Sequence, residues 1–233
     1  MSVPRVLIGC PTSYHKRYCL RAYIEGLRKL TYPNTTFIIV ENSQDDVYFN
    51  EISDLTKDMP NFILEKGPWF DGAKDRIIAS RNQIRQYAVD HDFDYFLSLE
   101  QDVVLQDPDA VQKMVAHHHD IVAGVVIGEQ LVNGQWAPAP MLYVSSKVDP
   151  EKMWFLDPAE IKKPQLIEIR ATALGCVLMS RTVLEKITFR YAGGFDDMMF
   201  SMDARAAGFK IFCDTTIRTA HHQKPGAWDT IQK

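Results

Sequence analysis

The first half of the chain alternates short apolar runs with helical patterns, and this alternation limits the possible folds more than any other feature. Apolar runs occupy residues 5–10, 36–40, 61–65, 95–99 and 120–126. Helical patterns separate them at residues 16–30, 47–58 and 75–90, and again after Asp107. Such alternation is typical of parallel strands joined by crossover helices. It predicts an α/β fold whose central sheet is mainly parallel and carries helices on both faces.

The second half of the chain breaks this rhythm. Possible strands lie at residues 141–146, 166–170, 174–180, 210–214 and 216–220. Predicted helices cover residues 181–187 and 196–208, and the second ends at Gly208, as helices commonly do at glycine. We expect a smaller antiparallel addition in this half. At 233 residues and without an obvious linker, the chain is predicted to form one domain.

Charge and composition disfavour several classes of protein. The formal net charge is −4 with no basic stripe, which disfavours a sequence-independent nucleic-acid binder. The four cysteines form no CxxC pair, which predicts reduced core thiols and a cytoplasmic setting. We expect neither secretion nor a membrane span, because a signal peptide and a run of about 18 apolar residues are both absent. The motifs of dinucleotide-binding folds, P-loop enzymes and serine hydrolases (GxGxxG, GxxxxGK[ST] and GxSxG) are also missing.

Two acidic residues follow the apolar run at residues 95–99. Ligands of a parallel sheet bind beyond the carboxyl ends of its strands, so Glu100 and Asp102 are candidate ligand-binding residues. Alternate residues of a strand share a face, so the two carboxylates would lie roughly 5 Å apart and repel by about 3 kcal/mol at an effective dielectric constant near 20. A divalent cation would reverse the sign, and hard oxygen ligands suit Mg²⁺ or Mn²⁺. The alternative is a pair of solvated loop acids.

The other apolar runs also end in polar or turn-forming residues. These are Pro11, Thr12, Ser13, Glu41, Asn42 and Lys66. Because the carboxyl ends of parallel strands meet at one edge of a sheet, we expect these residues to line a single cleft. Aromatic residues of the predicted loops are candidate platforms for a base or a sugar ring, although loop anchoring is their commoner role: Trp69, Trp136, Trp154, Phe155 and Trp228.

Arg81 lies on the apolar stripe of the helix predicted at residues 75–90. Ile77, Arg81, Ile84 and Ala88 are spaced by four, three and four residues, which places the arginine on the core-facing side. An unpaired buried guanidinium is unfavourable by several kcal/mol, so Arg81 needs an anionic partner. Asp102 is one possible partner, and a substrate diphosphate held in bidentate fashion is the other.

Asp196 and Asp197 open the helix predicted at residues 196–208. Acids in a first helical turn commonly cap the helix and interact with its dipole. Alternatively, one of the two is a general base, because a carboxylate within hydrogen-bond reach of an acceptor hydroxyl can take its proton. The glycines at positions 193 and 194 would let this segment close over a bound donor.

The histidines fall into two groups. His117, His118 and His119 are consecutive, so they spread around a helix end and do not converge on one metal ion. His221 and His222 follow a predicted strand, where alternation turns one of them towards the cleft. An imidazole in that position could complete a metal site.

The order of these segments resembles the nucleotide-diphospho-sugar glycosyltransferases of the GT-A fold, family 2 in particular. RVLIGCPTS, FIIVEN, ASRNQIRQYA, DYFLSLEQDVV, ALGCVLMSR and GGFDDMMFSMDARAAGFKIFCDTTIRTAHH follow one another over most of the chain. EQD stands where that family has its DxD metal motif, and FDD, with Phe200 further on, stands where it has an acidic pair. His221 matches a late metal-binding histidine. The order and spacing of the motifs carry the resemblance, rather than any one of them.

The resemblance implies a Rossmann-like GT-A domain that transfers a sugar from a UDP- or GDP-sugar donor to an acceptor hydroxyl. Residues 1–126 would bind the nucleotide, residues 127–222 would hold the acceptor and the catalytic groups, and residues 223–233 would form a flexible tail. Nothing in the resemblance names the acceptor, although a nucleic acid is disfavoured.

The resemblance also implies roles for individual residues. Asp102, His221 and Glu100 would bind Mn²⁺ or Mg²⁺. Asp197, or else Asp196, would be the base of an inverting displacement, whereas a retaining relative would need no such base. Glu100 stands where the family usually has Asp, which is chemically tolerable. Asp196 stands where the family usually has Glu, which leaves the base assignment open. The donor would contact a further group of residues: Pro11, Thr12, Glu41, Arg81, Glu100 and Gln101.

Two other functions share some of these features. A nucleotidyltransferase would also use paired acids and Mg²⁺, but it normally has a basic, glycine-rich loop after the first strand, and GCPTSYHKR is a poor match. A non-catalytic nucleotide-sugar-binding protein would keep the cleft without turnover. Metal-dependent hydrolysis of nucleotide sugars in the absence of an acceptor separates the enzyme from the binding protein.

Overall fold

The computed structural model describes residues 3–132, 135–149, 152–193 and 195–223. Strands and helices alternate through the first half: β1 (Val6–Thr12), α1 (Leu20–Arg28), β2 (Thr35–Glu41), α2 (Val47–Thr56), β3 (Phe62–Lys66), α3 (Ala73–Asp90), β4 (Tyr95–Leu99), β5 (Val103–Leu105), α4 (Ala110–Ala116) and β6 (Ile121–Val125). The second half is richer in strands: β7 (Ile127–Val132), β8 (Gln135–Pro140), β9 (Leu142–Ser145), β10 (Met153–Phe155), β11 (Leu166–Ile169), β12 (Ala171–Thr172), β13 (Cys176–Ser180), α5 (Arg181–Lys186), α6 (Asp196–Ala206) and β14 (Ile211–His221). Short 3₁₀ helices cover Tyr14–Cys19 and Glu160–Lys162.

Nine of these strands form one curled sheet. Along it the strands follow the order β11, β14, β6, β13, β4, β1, β2 and β3, while β5 pairs with β14 outside this order. The strands β3, β2, β1 and β4 are mutually parallel, and β14 is parallel to β6. β13 is antiparallel to both of its neighbours, and two small antiparallel sheets lie beside the main one. The prediction of an α/β fold with a mainly parallel sheet and an antiparallel addition is confirmed.

Apolar side chains pack against both faces of the sheet. In β1, Val6, Ile8 and Cys10 belong to one buried cluster, and Leu7 belongs to the other. The first cluster includes residues of α1, α2 and α4, whereas the second includes residues of α3, α5 and α6. Burial from both sides explains why the parallel strands appear in the sequence as continuous apolar runs. Helices therefore cover both faces, as predicted.

The segment after β1 differs from its prediction as a single helix over residues 16–30. A 3₁₀ helix precedes α1, and the N–H of Leu20 donates to the carbonyl of Arg17 three residues earlier. Tight turns of this kind are frequent at the start of α-helices. The consequence is that Lys16 belongs to the 3₁₀ turn at the sheet edge and not to the body of α1.

The tryptophans predicted in loops lie partly in strands. Trp136 is part of β8, and Trp154 and Phe155 are part of β10, so the prediction was wrong for these three residues. Their strands belong to short antiparallel sheets in which aromatic residues are favoured. Trp228, residue 194 and all but the first residue of the predicted tail at residues 223–233 lie outside the described residues.

The structure also describes the cysteines and the helices that sequence analysis considered. All four cysteines are buried and free: Cys10, Cys19, Cys176 and Cys213. In the described part of the chain, no helix combines the length and the apolar composition that crossing a membrane requires.

Candidate active site

Most predicted site residues come together where the parallel strands end. β1 pairs with both β2 and β4, so these three strands reach the same edge of the sheet, where a cavity of about 210 Å³ opens. Eight of the ten predicted residues line this cavity: Pro11, Thr12, Arg81, Glu100, Asp102, Asp196, Asp197 and His221. The cavity wall therefore combines side chains from β1, α3, the β4–β5 connection, α6 and β14.

The other two candidates, Glu41 and Gln101, are fully buried and do not line the cavity. The Glu41 carboxylate accepts a hydrogen bond from Lys66 Nζ at 2.9 Å, which ties the end of β2 to the end of β3. Gln101 accepts a hydrogen bond from the Thr12 hydroxyl and donates one to the carbonyl of Lys16 at 2.7 Å. Both side chains hold the connections around the cavity in place.

Lys16, which sequence analysis did not identify, lies between Glu100 and Asp102. Its Nζ atom is 2.8 Å from Glu100 Oε2 and 3.0 Å from Asp102 Oδ1. At an effective dielectric constant near 20, each attraction amounts to about 6 kcal/mol before desolvation, about twice the repulsion between carboxylates roughly 5 Å apart. The ammonium group therefore holds the two acids together. Its position just beyond β1, at the same sheet edge as the acids, was the available signal for it.

Burial and charge compete in setting the pKa values of these three groups. Burial alone raises the pKa of Glu100, but Lys16 and Arg81 outweigh it and hold that pKa below its usual value. Burial likewise raises the pKa of Asp102, but Lys16 and His221 hold it well below the usual range. Burial lowers the pKa of Lys16, whereas attraction to the two acids leaves it raised overall. All three groups are therefore charged at neutral pH.

Arg81 is buried on α3 and is held by three partners. Its Nη2 atom lies 2.7 Å from Glu100 Oε1, and its Nε atom lies 3.0 Å from Asp196 Oδ2. Its Nη1 atom donates to Ser98 Oγ at 3.0 Å. Sequence analysis proposed Asp102 or a substrate diphosphate as its partner. Its carboxylate partners in the structure are instead Glu100 and Asp196, which reach it from the β4–β5 connection and from α6.

The adjacent acids Asp196 and Asp197 have different surroundings in the first turn of α6. Asp196 is ion-paired with Arg81, whereas the described residues provide no ion pair for Asp197. Asp197 Oδ1 accepts a hydrogen bond from the N–H of Met198 at 2.6 Å. Burial, and then the neighbouring charge of Asp196, raise the pKa of Asp197 to about 6. Of the two acids, Asp197 therefore has the properties of a proton acceptor near neutral pH.

His221 lies at the end of β14 and faces Asp102. Its Nδ1 atom is 2.6 Å from the carbonyl oxygen of Ile127. Because a carbonyl oxygen only accepts hydrogen bonds, Nδ1 carries the proton, which leaves Nε2 directed towards Asp102 Oδ2 at 3.8 Å. Burial lowers the pKa of His221, but its contacts with Asp102 and Ile127 raise it overall. This orientation is the one required of a metal-binding imidazole.

The other histidines considered in the sequence analysis do not contribute side chains to the cavity wall. His222 is exposed, and its backbone N–H donates to the carbonyl of Asp102 at 2.7 Å. Of the three consecutive histidines, His117 contacts Asp214 at 2.8 Å and His119 stacks on Phe212 with a centroid distance of 4.0 Å. None of the three lines the cavity.

Arg76 is a second buried guanidinium in the cavity wall, and sequence analysis did not identify it. Its Nη1 atom donates to the backbone carbonyl of Asp71 at 2.9 Å, and its guanidinium lies 4.4 Å from the centroid of the Trp69 ring. Unlike Arg81, it has no carboxylate of a described residue within ion-pair distance. Arg76 therefore has charge available for an anionic ligand.

The sequence matches no family model and no curated protein. Solved structures are nevertheless similar. TarS from S. aureus, residues 1–349, has 14% identity and a TM-score of 0.58 over 97% of this chain and 63% of its own. GalNAc-T7 with UDP, GalNAc and Mn²⁺ has 11% identity and a TM-score of 0.62 over 94% of this chain and 44% of its own. The mannosyltransferase PcManGT from Pyrobaculum calidifontis with GDP-Man and Mn²⁺ has 14% identity and a TM-score of 0.61 over 92% of this chain and 58% of its own.

These likenesses establish the class of fold. The chain has the GT-A fold of nucleotide-sugar glycosyltransferases, so the recognition of this fold from the order of the sequence motifs is confirmed. The chain spans between 44% and 63% of the length of these three proteins. At 11–15% identity the likeness extends to the fold and not to the individual site residues.

Proposed function

We propose that this protein is a metal-dependent glycosyltransferase that moves a sugar from a UDP- or GDP-sugar donor to an acceptor hydroxyl with inversion. The observation that carries the proposal is the convergence of four acids, two buried guanidiniums and an oriented imidazole on one cavity at the carboxyl end of the sheet. Among the similar structures, GalNAc-T7 contains UDP and Mn²⁺, PcManGT contains GDP-Man and Mn²⁺, and TarS is also known with UDP, which supports the donor class and the cofactor.

The residues at the cavity fit a divalent cation held partly by its substrate. In the described part of the chain, no three His, Cys, Asp or Glu side chains are grouped as a complete ligand set. Asp102 and His221 nevertheless present a carboxylate oxygen and an imidazole Nε2 to each other, with Glu100 nearby. Few protein ligands suit Mg²⁺ or Mn²⁺ when phosphates supply the others. A bound cation would act as a Lewis acid and stabilise the charge on the leaving diphosphate.

The donor occupies the cavity beside β1 and α3. Pro11 and Thr12 contact the nucleoside, whereas Glu41 and Gln101 support these contacts by holding the surrounding connections. Arg81 steadies Glu100 and completes the charge around the diphosphate. Arg76, whose guanidinium has no carboxylate partner among the described residues, supplies a further cation for that diphosphate.

Asp197 is the proposed base. It accepts the proton of the acceptor hydroxyl as the hydroxyl oxygen bonds to the anomeric carbon and the bond from that carbon to the diphosphate breaks. Asp196 is held by Arg81, and its negative charge helps to keep the pKa of Asp197 raised. Asp196 therefore has a positioning role, and Asp197 accepts the proton.

A thermal-shift screen tests the donor class directly. We expect UDP or GDP to raise the melting temperature with Mn²⁺ present and to have little effect with EDTA, because a bound ligand stabilises the folded protein by mass action. UMP and GMP are the controls for the diphosphate requirement. If neither diphosphate shifts the melting temperature with Mn²⁺, the proposed function is wrong.

Removing the carboxylate of Asp102 should weaken the Mn²⁺-dependent binding of the donor nucleotide. Asp102→Asn is expected to lower the Mn²⁺-dependent affinity for UDP or GDP at least tenfold, since even outer-shell changes at metal sites cost about 10–100-fold. Calorimetric titration measures the affinity, and Asp107→Asn, which removes an acid paired with Lys113, is the control. Unchanged affinity in Asp102→Asn would contradict the metal role of this residue.

The pH dependence of transfer should report on Asp197. Its pKa is raised to about 6, so below about pH 6 the carboxylate becomes protonated and cannot accept a proton. We expect kcat/KM to fall about tenfold per pH unit on this acid limb. Donor affinity measured at the same pH values distinguishes loss of the base from loss of binding. A rate that stays level down to about pH 5 would argue against Asp197.

A further inference from the structure

Lys16 bridges Glu100 and Asp102 at the proposed metal site. Each of the two acids it bridges uses one oxygen for Lys16 and presents the other to a different partner. Glu100 Oε1 is bound by Arg81 at 2.7 Å, and Asp102 Oδ2 faces His221 at 3.8 Å. The remaining oxygens, Glu100 Oε2 and Asp102 Oδ1, are the ones that Lys16 contacts. These two oxygens converge on one cation, and that cation is an ammonium group.

The backbone of Lys16 is held independently of its ammonium group. Its carbonyl accepts a hydrogen bond from the fully buried side chain of Gln101 at 2.7 Å. Its side chain is 23% exposed and lines the same cavity. The ammonium group can therefore leave the acids by rotation of the side chain while the 3₁₀ turn stays in place. The cavity already provides solvent-accessible space for it.

We propose that Lys16 is an internal competitor of the divalent cation for Glu100 and Asp102. In the metal-free protein its ammonium group neutralises the two acids and keeps them preorganised. A divalent cation bound at Asp102 would lie within a few ångströms of that group, and the repulsion between two such close cations favours displacement of the ammonium. This inference rests on the metal site of the proposed function and adds a residue that sets its affinity.

Titration of Mn²⁺ alone into the nucleotide-free protein tests the inference. Lys16→Met keeps most of the side-chain length and removes the charge, and we expect it to bind Mn²⁺ at least tenfold more tightly than the wild type. Lys16→Arg keeps the charge and should gain no affinity. Lys29→Met, at an exposed lysine, should match the wild type. Equal or weaker Mn²⁺ binding by Lys16→Met than by the wild type would overturn the proposal.

A measurement on the wild type covers the case in which Lys16→Met does not fold. Reductive methylation followed by peptide mass spectrometry reports how accessible each lysine amine is. Saturating Mn²⁺ should raise the methylation rate of Lys16 at least threefold and leave that of Lys29 unchanged. An unchanged rate for Lys16 with Mn²⁺ bound would overturn the proposal.

Asp102→Asn separates this inference from the metal site itself. If Asp102→Asn abolishes Mn²⁺ binding while Lys16→Met leaves it unchanged, the metal site stands and only the competition is wrong. If neither variant changes Mn²⁺ binding, the metal site of the proposed function fails as well.

Discussion

Asp197→Asn is expected to lower kcat for sugar transfer by a factor of about 10²–10⁴, the usual contribution of a general base. Asparagine keeps the size of the side chain, but its amide cannot accept a proton from the acceptor hydroxyl. Donor affinity should change less than about threefold, because Asp197 lies on α6 and the proposed metal ligands lie beyond β4 and in β14. Steady-state transfer and calorimetric donor titration measure the two quantities separately.

The matched control is Asp203→Asn. Asp203 is on the same helix, pairs with Arg190 at 2.6 Å and does not line the cavity, so its replacement should leave transfer nearly unchanged. Transfer by Asp197→Asn at close to the wild-type rate would mean that the base is elsewhere or that the mechanism retains configuration. A parallel loss in both variants would point to damage to α6 and not to a missing base.

Asp197→Asn should also stabilise the folded protein above about pH 6. The pKa of Asp197 is raised from an ordinary 3.8 to about 6, so the folded state binds a proton more tightly than the unfolded state. The bound proton contributes at most roughly 3 kcal/mol to the free energy of unfolding. This contribution is fully present below about pH 4 and is lost as the pH rises through about 6. Asparagine carries no charge, so the melting temperature of Asp197→Asn should exceed that of the wild type at about pH 8.

Arg81→Met is expected to destabilise the protein by about 3–5 kcal/mol, the usual effect of removing one partner of a buried ion pair. The guanidinium is buried between Glu100 and Asp196, and its loss leaves two acids without their shared cation. Urea denaturation at neutral pH measures the loss of unfolding free energy. The loss should shrink at low pH, where Glu100 becomes protonated.

Arg85→Met is the matched control for Arg81→Met. Arg85 lies one helical turn further along α3, donates to the backbone carbonyls of Ile187 at 2.7 Å and Glu185 at 3.4 Å, and forms no ion pair with a described residue. Its replacement should remove about 1–2 kcal/mol, as expected for hydrogen bonds to neutral partners whose loss leaves no charge unpaired. A loss below about 1 kcal/mol in Arg81→Met itself would contradict the structural part we assign to the Arg81 ion pairs.

The sequence was sufficient to predict the alternating part of the fold. Parallel strands buried on both faces leave continuous apolar runs, which periodicity detects. The antiparallel insertion of β13 between β4 and β6 was not predicted in its place, because an apolar run does not encode its neighbours in the sheet. The strand around Trp154 was missed because it is only three residues long, and the strand around Trp136 because it contains Pro138 and Pro140, which disfavour a strand assignment.

The candidate site was predictable to a similar extent. Of the residues expected to line one cleft at the ends of the apolar runs, Pro11, Thr12, Ser13 and Asn42 line the cavity, since strand ends of a parallel sheet share an edge, whereas Glu41 and Lys66 do not. Side-chain partners were not, because they depend on reach across the cavity. Lys16 contacts Glu100 over 84 residues of sequence, and Arg81 contacts Asp196 over 115. Contacts between residues so far apart in the sequence leave no local sequence pattern from which they could be predicted.

Anomalous diffraction at the manganese edge, from crystals of the protein with Mn²⁺ and UDP or GDP, is the most direct measurement of the central claim. The account predicts one strong peak within coordination distance of Asp102 and His221 Nε2, next to the diphosphate. A nucleotide bound in the cavity with no peak there, or with Mn²⁺ held by other residues, would contradict it.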